Sequence, residues 1–218
     1  MYHPDWRERA SSLQYKGTTT VGVVCKDGVV LATDTRVTMG YFIAHKRGKK
    51  VHKIDAHLAM TMAGVVADAQ AVLEILRVNA SLYKLNNKRP MPVAAAARLA
   101  ANVLFYNRLL PLIIQAIIAG VDSEGPHIFS LDPFGSLTEE KKFFATGSGS
   151  PVAFGILEDS YKDGMTVGEA VPLMVRAVKA AMRRDAASGD SFDIAIIDGK
   201  GFRELSEEEK AKYARLEG

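Results

Sequence analysis

Extended and helical patterns fall in separate runs along this chain, and that order restricts the fold more than any other feature. Residues 18–25 (TTTVGVVC) and 28–34 (GVVLATD) are rich in β-branched residues and read as two strands. The Asp27-Gly28 pair between them is a hairpin signal. Residues 41–54 and 57–63 read as a second strand pair, turning at Asp55-Ala56. The apolar period then lengthens to that of helices, over residues 65–85 and 92–110. Pro92 is tolerated in a first turn, where its missing N–H is not needed. Three further strands are predicted at 113–122, 127–132 and 142–146, then helices at 152–162 and 166–187. Thr166-x-x-Glu169 is a capping box, residues 192–198 read as a buried strand, and Ser206-x-x-Glu209 opens a charged tail helix.

Strands followed by helices, twice over, exclude an alternating Rossmann-type pattern. The expected class is α+β, with two sheets stacked between helix pairs. At 218 residues and 48% hydrophobic, the chain suffices for one large domain, without a linker or repeat that would divide it. The single cysteine, Cys25, excludes an intrachain disulfide and a multi-cysteine zinc site. It lies in a strand pattern and reads as a packed small hydrophobe. No stretch is long and apolar enough for a membrane span, and the polar N-terminus lacks the apolar core of a secretory signal. A cytoplasmic protein is the expectation.

The net charge of +3 is too modest to indicate nucleic acid. A basic cluster, Lys46, Arg47, Lys49, Lys50 and Lys53, reads either as a solvated hairpin tip or as a phosphate contact, with no interleaved aromatic residues for base stacking. The five histidines (His3, His45, His52, His57 and His127) have no metal-ligand spacing, so neither a metal nor a cofactor is expected. G-x-S-x-G and H-E-x-x-H motifs are absent, and Gly147-Ser148-Gly149 lacks the lysine of a P-loop.

What remains is Lys16-Gly17-Thr18-Thr19-Thr20. A threonine hydroxyl is a poor nucleophile until a base takes its proton. If the chain were cut after Gly17, Thr18 would carry both its hydroxyl and a free α-amine. That amine, with an ordinary pKa of about 7.7–8.0, acts as a base near neutral pH. Gly17, without a Cβ, allows the tight geometry in which Thr18 attacks the carbonyl before it. The triplet alone is more often read as a plain strand.

The wider pattern resolves that ambiguity. GTTTVGVVCKDGVVLATDTRVTMG closely resembles the start of mature proteasome β-subunits of the archaeal type, and GKKVHKI, MTMAGVVADAQ, FATGSGSP and RRDAASGDSFDIAII continue the likeness in family order. The resemblance covers nearly all of residues 17–200. It implies the N-terminal nucleophile hydrolase fold, a four-layer αββα sandwich, and a threonine endopeptidase. It also implies residues 1–17 as a propeptide cleaved between Gly17 and Thr18, and 18–218 as the peptidase domain.

Carried over by position, Thr18 is the nucleophile, Lys50 the active-site lysine, and Asp34 the motif acid that would pair with Lys50 and hold it charged and aimed. Ser148, Asp185 and Ser188 are the supporting set, and the Gly64 N–H stabilises the oxyanion. Thr38 and Gly64 bind an extended peptide by strand addition. Val37, Met62 and Val66 form an apolar pocket, which implies cleavage after large hydrophobic residues. His52 stands where the family is often apolar and, facing the pocket, would add a pH-dependent preference. Thr35 and Ala67 also depart from the commoner residues. The implied partners are a proteasome α-subunit ring and other β-subunits in stacked heptameric rings, unfolded polypeptides, and a regulatory ATPase acting through the α ring. Two alternatives share the fold: a non-catalytic ring subunit, and an amidohydrolase acting on small molecules. The joint presence of Thr18, Asp34, Lys50, Asp185 and Ser188 argues against the first, and the pocket set against the second.

Overall fold

The computed structural model describes residues 17–215. Residues 1–16, the body of the expected propeptide, lie outside the described residues. Twelve strands and five helices are formed among those described. The strands are β1 (Thr20–Cys25), β2 (Gly28–Asp34), β3 (Val37–Met39), β4 (Phe42–His45), β5 (Val51–Asp55), β6 (Leu58–Gly64), β7 (Ile114–Asp122), β8 (Gly125–Leu131), β9 (Leu137–Glu140), β10 (Phe143–Thr146), β11 (Phe192–Asp198) and β12 (Gly201–Glu204). The helices are α1 (Val66–Asn87), α2 (Val93–Tyr106), α3 (Ser150–Ser160), α4 (Val167–Arg184) and α5 (Glu207–Arg215). No helix among the described residues is long and apolar enough to cross a membrane.

Two antiparallel five-stranded sheets, ordered β10-β1-β2-β11-β12 and β5-β6-β7-β8-β9, lie face to face. Helices α1 and α2 cover one outer face, and α3 and α4 the other. Alternation within single strands explains the stacking. On β2, Val30 and Ala32 pack towards α3 and α4, while Val29 and Leu31 meet the other sheet. On β7, Ile114, Ala116 and Ile118 face α1 and α2, while Ile117 and Ala119 face β2. Both faces of each sheet are thus buried, and each fully buried leucine or isoleucine contributes roughly 1.5–3 kcal/mol. The expected αββα sandwich is the observed fold.

Local departures from the sequence reading have identifiable causes. Six strands precede α1, not four: β3 is an additional short strand, and the predicted strand over 41–54 is broken between His45 and Val51. There Thr35 draws the chain across: its hydroxyl donates to the Lys46 carbonyl (2.8 Å) and its own carbonyl accepts from Gly48 N (2.7 Å). That break turns Lys50 inward. Helix α2 stops at Tyr106, short of Leu110, where Asn107 caps it and donates back to the Val103 carbonyl (2.7 Å). Helix α4 keeps its predicted capping box but ends at Arg184 instead of running to Ala187. The Asp185 carboxylate there accepts from Ala187 N (3.2 Å) and the Ser188 hydroxyl (2.6 Å), competing with helix continuation. Strand β9, an outer strand of mostly polar residues, was not anticipated.

Candidate active site

The chain enters β1 through Gly17-Thr18-Thr19, so Thr18 stands at the end of the strand where the gap between the sheets opens. Strand β2 runs antiparallel beside it and ends in Asp34, a fully buried carboxylate. Lys50, turned inward ahead of β5, completes the cluster.

Five donors converge on Asp34. Its Oδ1 accepts from the Thr18 hydroxyl (2.8 Å), Lys50 Nζ (2.7 Å) and Thr19 N (2.9 Å). Its Oδ2 accepts from Arg36 N and Gly189 N, both at 3.0 Å. Lys50 also donates to the Thr18 hydroxyl oxygen. The Thr18 oxygen therefore gives its proton to a carboxylate while its lone pairs face an ammonium, which favours charge developing on that oxygen. Burial pulls the Lys50 pKa below the ordinary lysine value, and the Asp34 carboxylate and its hydrogen bond offset part of that shift. A lysine shifted in this direction exchanges a proton with a neighbouring hydroxyl more readily than a free one.

Ser148, Asp185 and Ser188 form a second cluster beside the first. Asp185 Oδ2 accepts from both the Ser148 and the Ser188 hydroxyls, each at 2.6 Å. Ser188 has spent its one proton there, so at 2.7 Å the Thr19 hydroxyl is the donor to it. Ser148 likewise has spent its proton and lies 3.5 Å from the Thr18 carbonyl oxygen. These three residues thus reach Thr18 through Thr19 and the main chain, in the form where Gly17 is still bonded to Thr18.

A cleft of about 490 Å³ opens directly on Gly17 and Thr18. Val37, Thr38, Lys50, His52, Met62, Gly64 and Val66 all line it, so every residue expected to contact substrate meets the nucleophile candidate in one place. Gly64 ends β6 at φ +121°, and a side chain there would run into the Ile113 carbonyl. His52 donates Nε2–H to the Lys49 carbonyl (3.0 Å), and burial holds its pKa below the usual value. Cys25 is remote in role: it is buried, and burial with nearby Asp27 and Glu169 pushes its thiol up to about 12. Of the basic cluster, Lys50 belongs to the site, while Lys49 pairs with Glu204 (2.6 Å).

Two contributors escaped the sequence reading. Arg36 clamps the loop carrying Asp185 and Ser188, donating Nε–H to Asp190 (2.8 Å) and Nη1–H to the Ala186 carbonyl (2.8 Å). Gly189 supplies an N–H to Asp34 from the same loop. The Ser188-Gly189-Asp190 turn residues were the available signal.

Comparison with known proteins decides the family. Residues 14–197 match the proteasome subunit family. The chain belongs to that family. A proteasome subunit beta of Methanothermobacter thermautotrophicus is 52% identical over 198 residues, covering 90% of this chain and 94% of its own length. One from Methanosarcina barkeri is 50% identical over 194 residues (89% and 92%). A proteasome subunit beta 1 of Caldivirga maquilingensis is 51% identical over 191 residues (87% and 93%). With relatives of the β kind at this level, the proteasome chain is a threonine endopeptidase subunit of the core particle, an N-terminal nucleophile hydrolase that assembles with other proteasome subunits.

Proposed function

We propose that residues 1–17 are a propeptide, that 18–218 are the peptidase domain, and that Thr18 performs both self-cleavage and substrate cleavage. The observation that carries this reading is the Thr18 hydroxyl held between Asp34 (2.8 Å) and Lys50 at the mouth of the cleft.

In maturation, Thr18 Oγ1 adds to the Gly17 carbonyl carbon and the C–N bond to Thr18 breaks, leaving an ester. The hydroxyl proton passes to the departing nitrogen, which becomes the free Thr18 amine, and water then hydrolyses the ester, releasing residues 1–17 and restoring the hydroxyl. In turnover, the hydroxyl attacks a substrate carbonyl with its proton passing to that amine, directly or through water. The Gly64 N–H takes up negative charge on the carbonyl oxygen. The amine then returns the proton to the leaving peptide nitrogen, and water hydrolyses the acyl-enzyme. Lys50, aimed by Asp34, stabilises the developing alkoxide. Asp185, Ser148 and Ser188 hold the start of β1 in place and relay protons near the amine.

Thr38 and Gly64 main-chain groups would pair with an extended peptide. The apolar walls Val37, Met62 and Val66 favour cleavage after large hydrophobic residues. Assembly with an α-subunit ring and other β-subunits, in stacked heptameric rings, is supported by large apolar side chains left in water: Tyr41 is 96% exposed, Leu109 89% and Leu110 82%. The substrates would be unfolded polypeptides delivered in the cytoplasm by a regulatory ATPase through the α ring.

The test is Thr18→Ala, co-assembled with the α partner. Loss of both peptidase activity and labelling by a covalent probe for N-terminal threonines is expected. Activity surviving in Thr18→Ala would contradict the assignment.

A further inference from the structure

The cleft is apolar along most of its walls, and His52 stands out among them. Val51 of β5 points into the space between the sheets, so His52, its neighbour, points to the α1 side of the sheet. There it lines the cleft with Met62, Val66, Ala69 and Gln70. One ring nitrogen is already committed. The Lys49 carbonyl can only accept, so at 3.0 Å His52 Nε2 must carry the proton. In the neutral ring Nδ1 is then a bare lone pair, and no donor among the described residues meets it. We propose that His52 Nδ1 makes the cleft selective for side chains with a neutral hydrogen-bond donor at the end of an apolar body, tyrosine before phenylalanine. The inference rests on the reading above, in which this cleft receives the side chain preceding the cut.

Charge narrows the choice of tip. Lys49 and Arg77 both lie close enough to His52 to disfavour its cation, Glu204 opposes them more weakly, and the two cations disfavour a cationic substrate tip in the same way. A carboxylate would set its lone pairs against that of Nδ1. A phenol suffers neither conflict, and its ring suits the apolar walls. Burial, the largest influence on His52, also keeps the ring neutral at pH 7, which preserves the acceptor.

The experiment uses the particle assembled with its α partner and two peptides that differ only in Tyr or Phe on the acyl side of the cleaved bond. One net hydrogen bond in a partly open site predicts a Tyr-to-Phe ratio in kcat/KM of about two- to tenfold. The ratio should fall to about 1 in His52→Leu. His52→Gln, which offers both a donor for Lys49 and an acceptor for the substrate, should retain most of it. Because both peptides use the same nucleophile, the ratio cancels any loss of assembled particle. A wild-type ratio at or below 1, or a ratio unmoved by His52→Leu, overturns the inference while leaving the peptidase assignment standing. If His52→Leu does not assemble, the wild-type ratio still decides. Cleavage of neither peptide, or cleavage that survives Thr18→Ala, overturns the underlying reading and this inference with it.

Discussion

Replacing Asp34 by Asn is the most informative single perturbation of the site, because it keeps the shape and removes the charge. The fully buried carboxylate takes three donors on one oxygen and two backbone N–H groups on the other. An amide has one oxygen. In either orientation its NH2 faces donors, leaving either the Thr18–Thr19–Lys50 group or the Arg36 and Gly189 N–H groups unsatisfied. Lys50, itself buried, also loses its partner at 2.7 Å. Breaking a buried pair from one side costs about 3–5 kcal/mol. For a chain of this size that lowers Tm by roughly 6–20 °C, at about 2–4 °C per kcal/mol. Thermal unfolding of the isolated subunit, followed by circular dichroism, reads this directly. In the assembled particle, loss of the electrostatic support for the Thr18 oxygen should reduce kcat by about 10²–10³. A variant that melts within a degree of wild type and keeps its turnover would refute the reasoning, since the charge would then be idle.

Three other outcomes follow from the packing. A Cβ at Gly17 would overlap Ala187 Cβ and Ser148 Oγ. Gly17→Ala should therefore slow self-cleavage roughly 5–160-fold, from an overpacking cost of about 1–3 kcal/mol, read as unprocessed subunit in an assembly time course. Wild-type processing would show that the pocket is roomier than this. Thr33 Oγ1 is a buried hydroxyl without a hydrogen-bond partner among the described residues, so Thr33→Val should raise stability in urea unfolding by about 1 kcal/mol or more. A loss of stability would mean that the hydroxyl is satisfied after all. Cys25, with its thiol pushed up to about 12 by burial and the nearby acids, should resist thiol reagents in the folded subunit and react only on unfolding. Labelling at the rate of a free thiol would contradict its burial.

The layers were legible because strand alternation and helical period are local signals. The first hairpin, the capping boxes at Thr166 and Ser206, and β11 were all readable from a few neighbouring residues. The break before Lys50 was not, since it depends on Thr35 pulling on Lys46 and Gly48 from the link between β2 and β3. The early end of α4 was missed for a related reason: helix period persists in the sequence while the Asp185 side chain captures the groups that would continue it.

The site divides along the same line. Thr18 had a chemical argument of its own, from a hydroxyl and amine on one residue. Asp34 and Lys50 lie 16 and 32 residues further on, and only the family likeness joined them to Thr18 before the geometry was seen. Arg36 and Gly189 were missed because each acts through contacts more than 150 residues apart in sequence, between the end of β2 or the link after it and the loop after α4. Ser148 shows a subtler gap. While Gly17 remains attached, Ser148 bonds to Asp185 and approaches the Thr18 carbonyl, contacts that no local pattern around GSGS announces.

The central claim is that Thr18 removes residues 1–17 and becomes the first residue. Intact-mass measurement of the subunit purified from the particle assembled with its α partner tests it most directly, with Thr18→Ala in parallel. The account predicts a wild-type mass lacking Met1 to Gly17 and a Thr18→Ala mass that retains them. An unprocessed wild-type subunit in the fully assembled particle, or normal processing in Thr18→Ala, would contradict it.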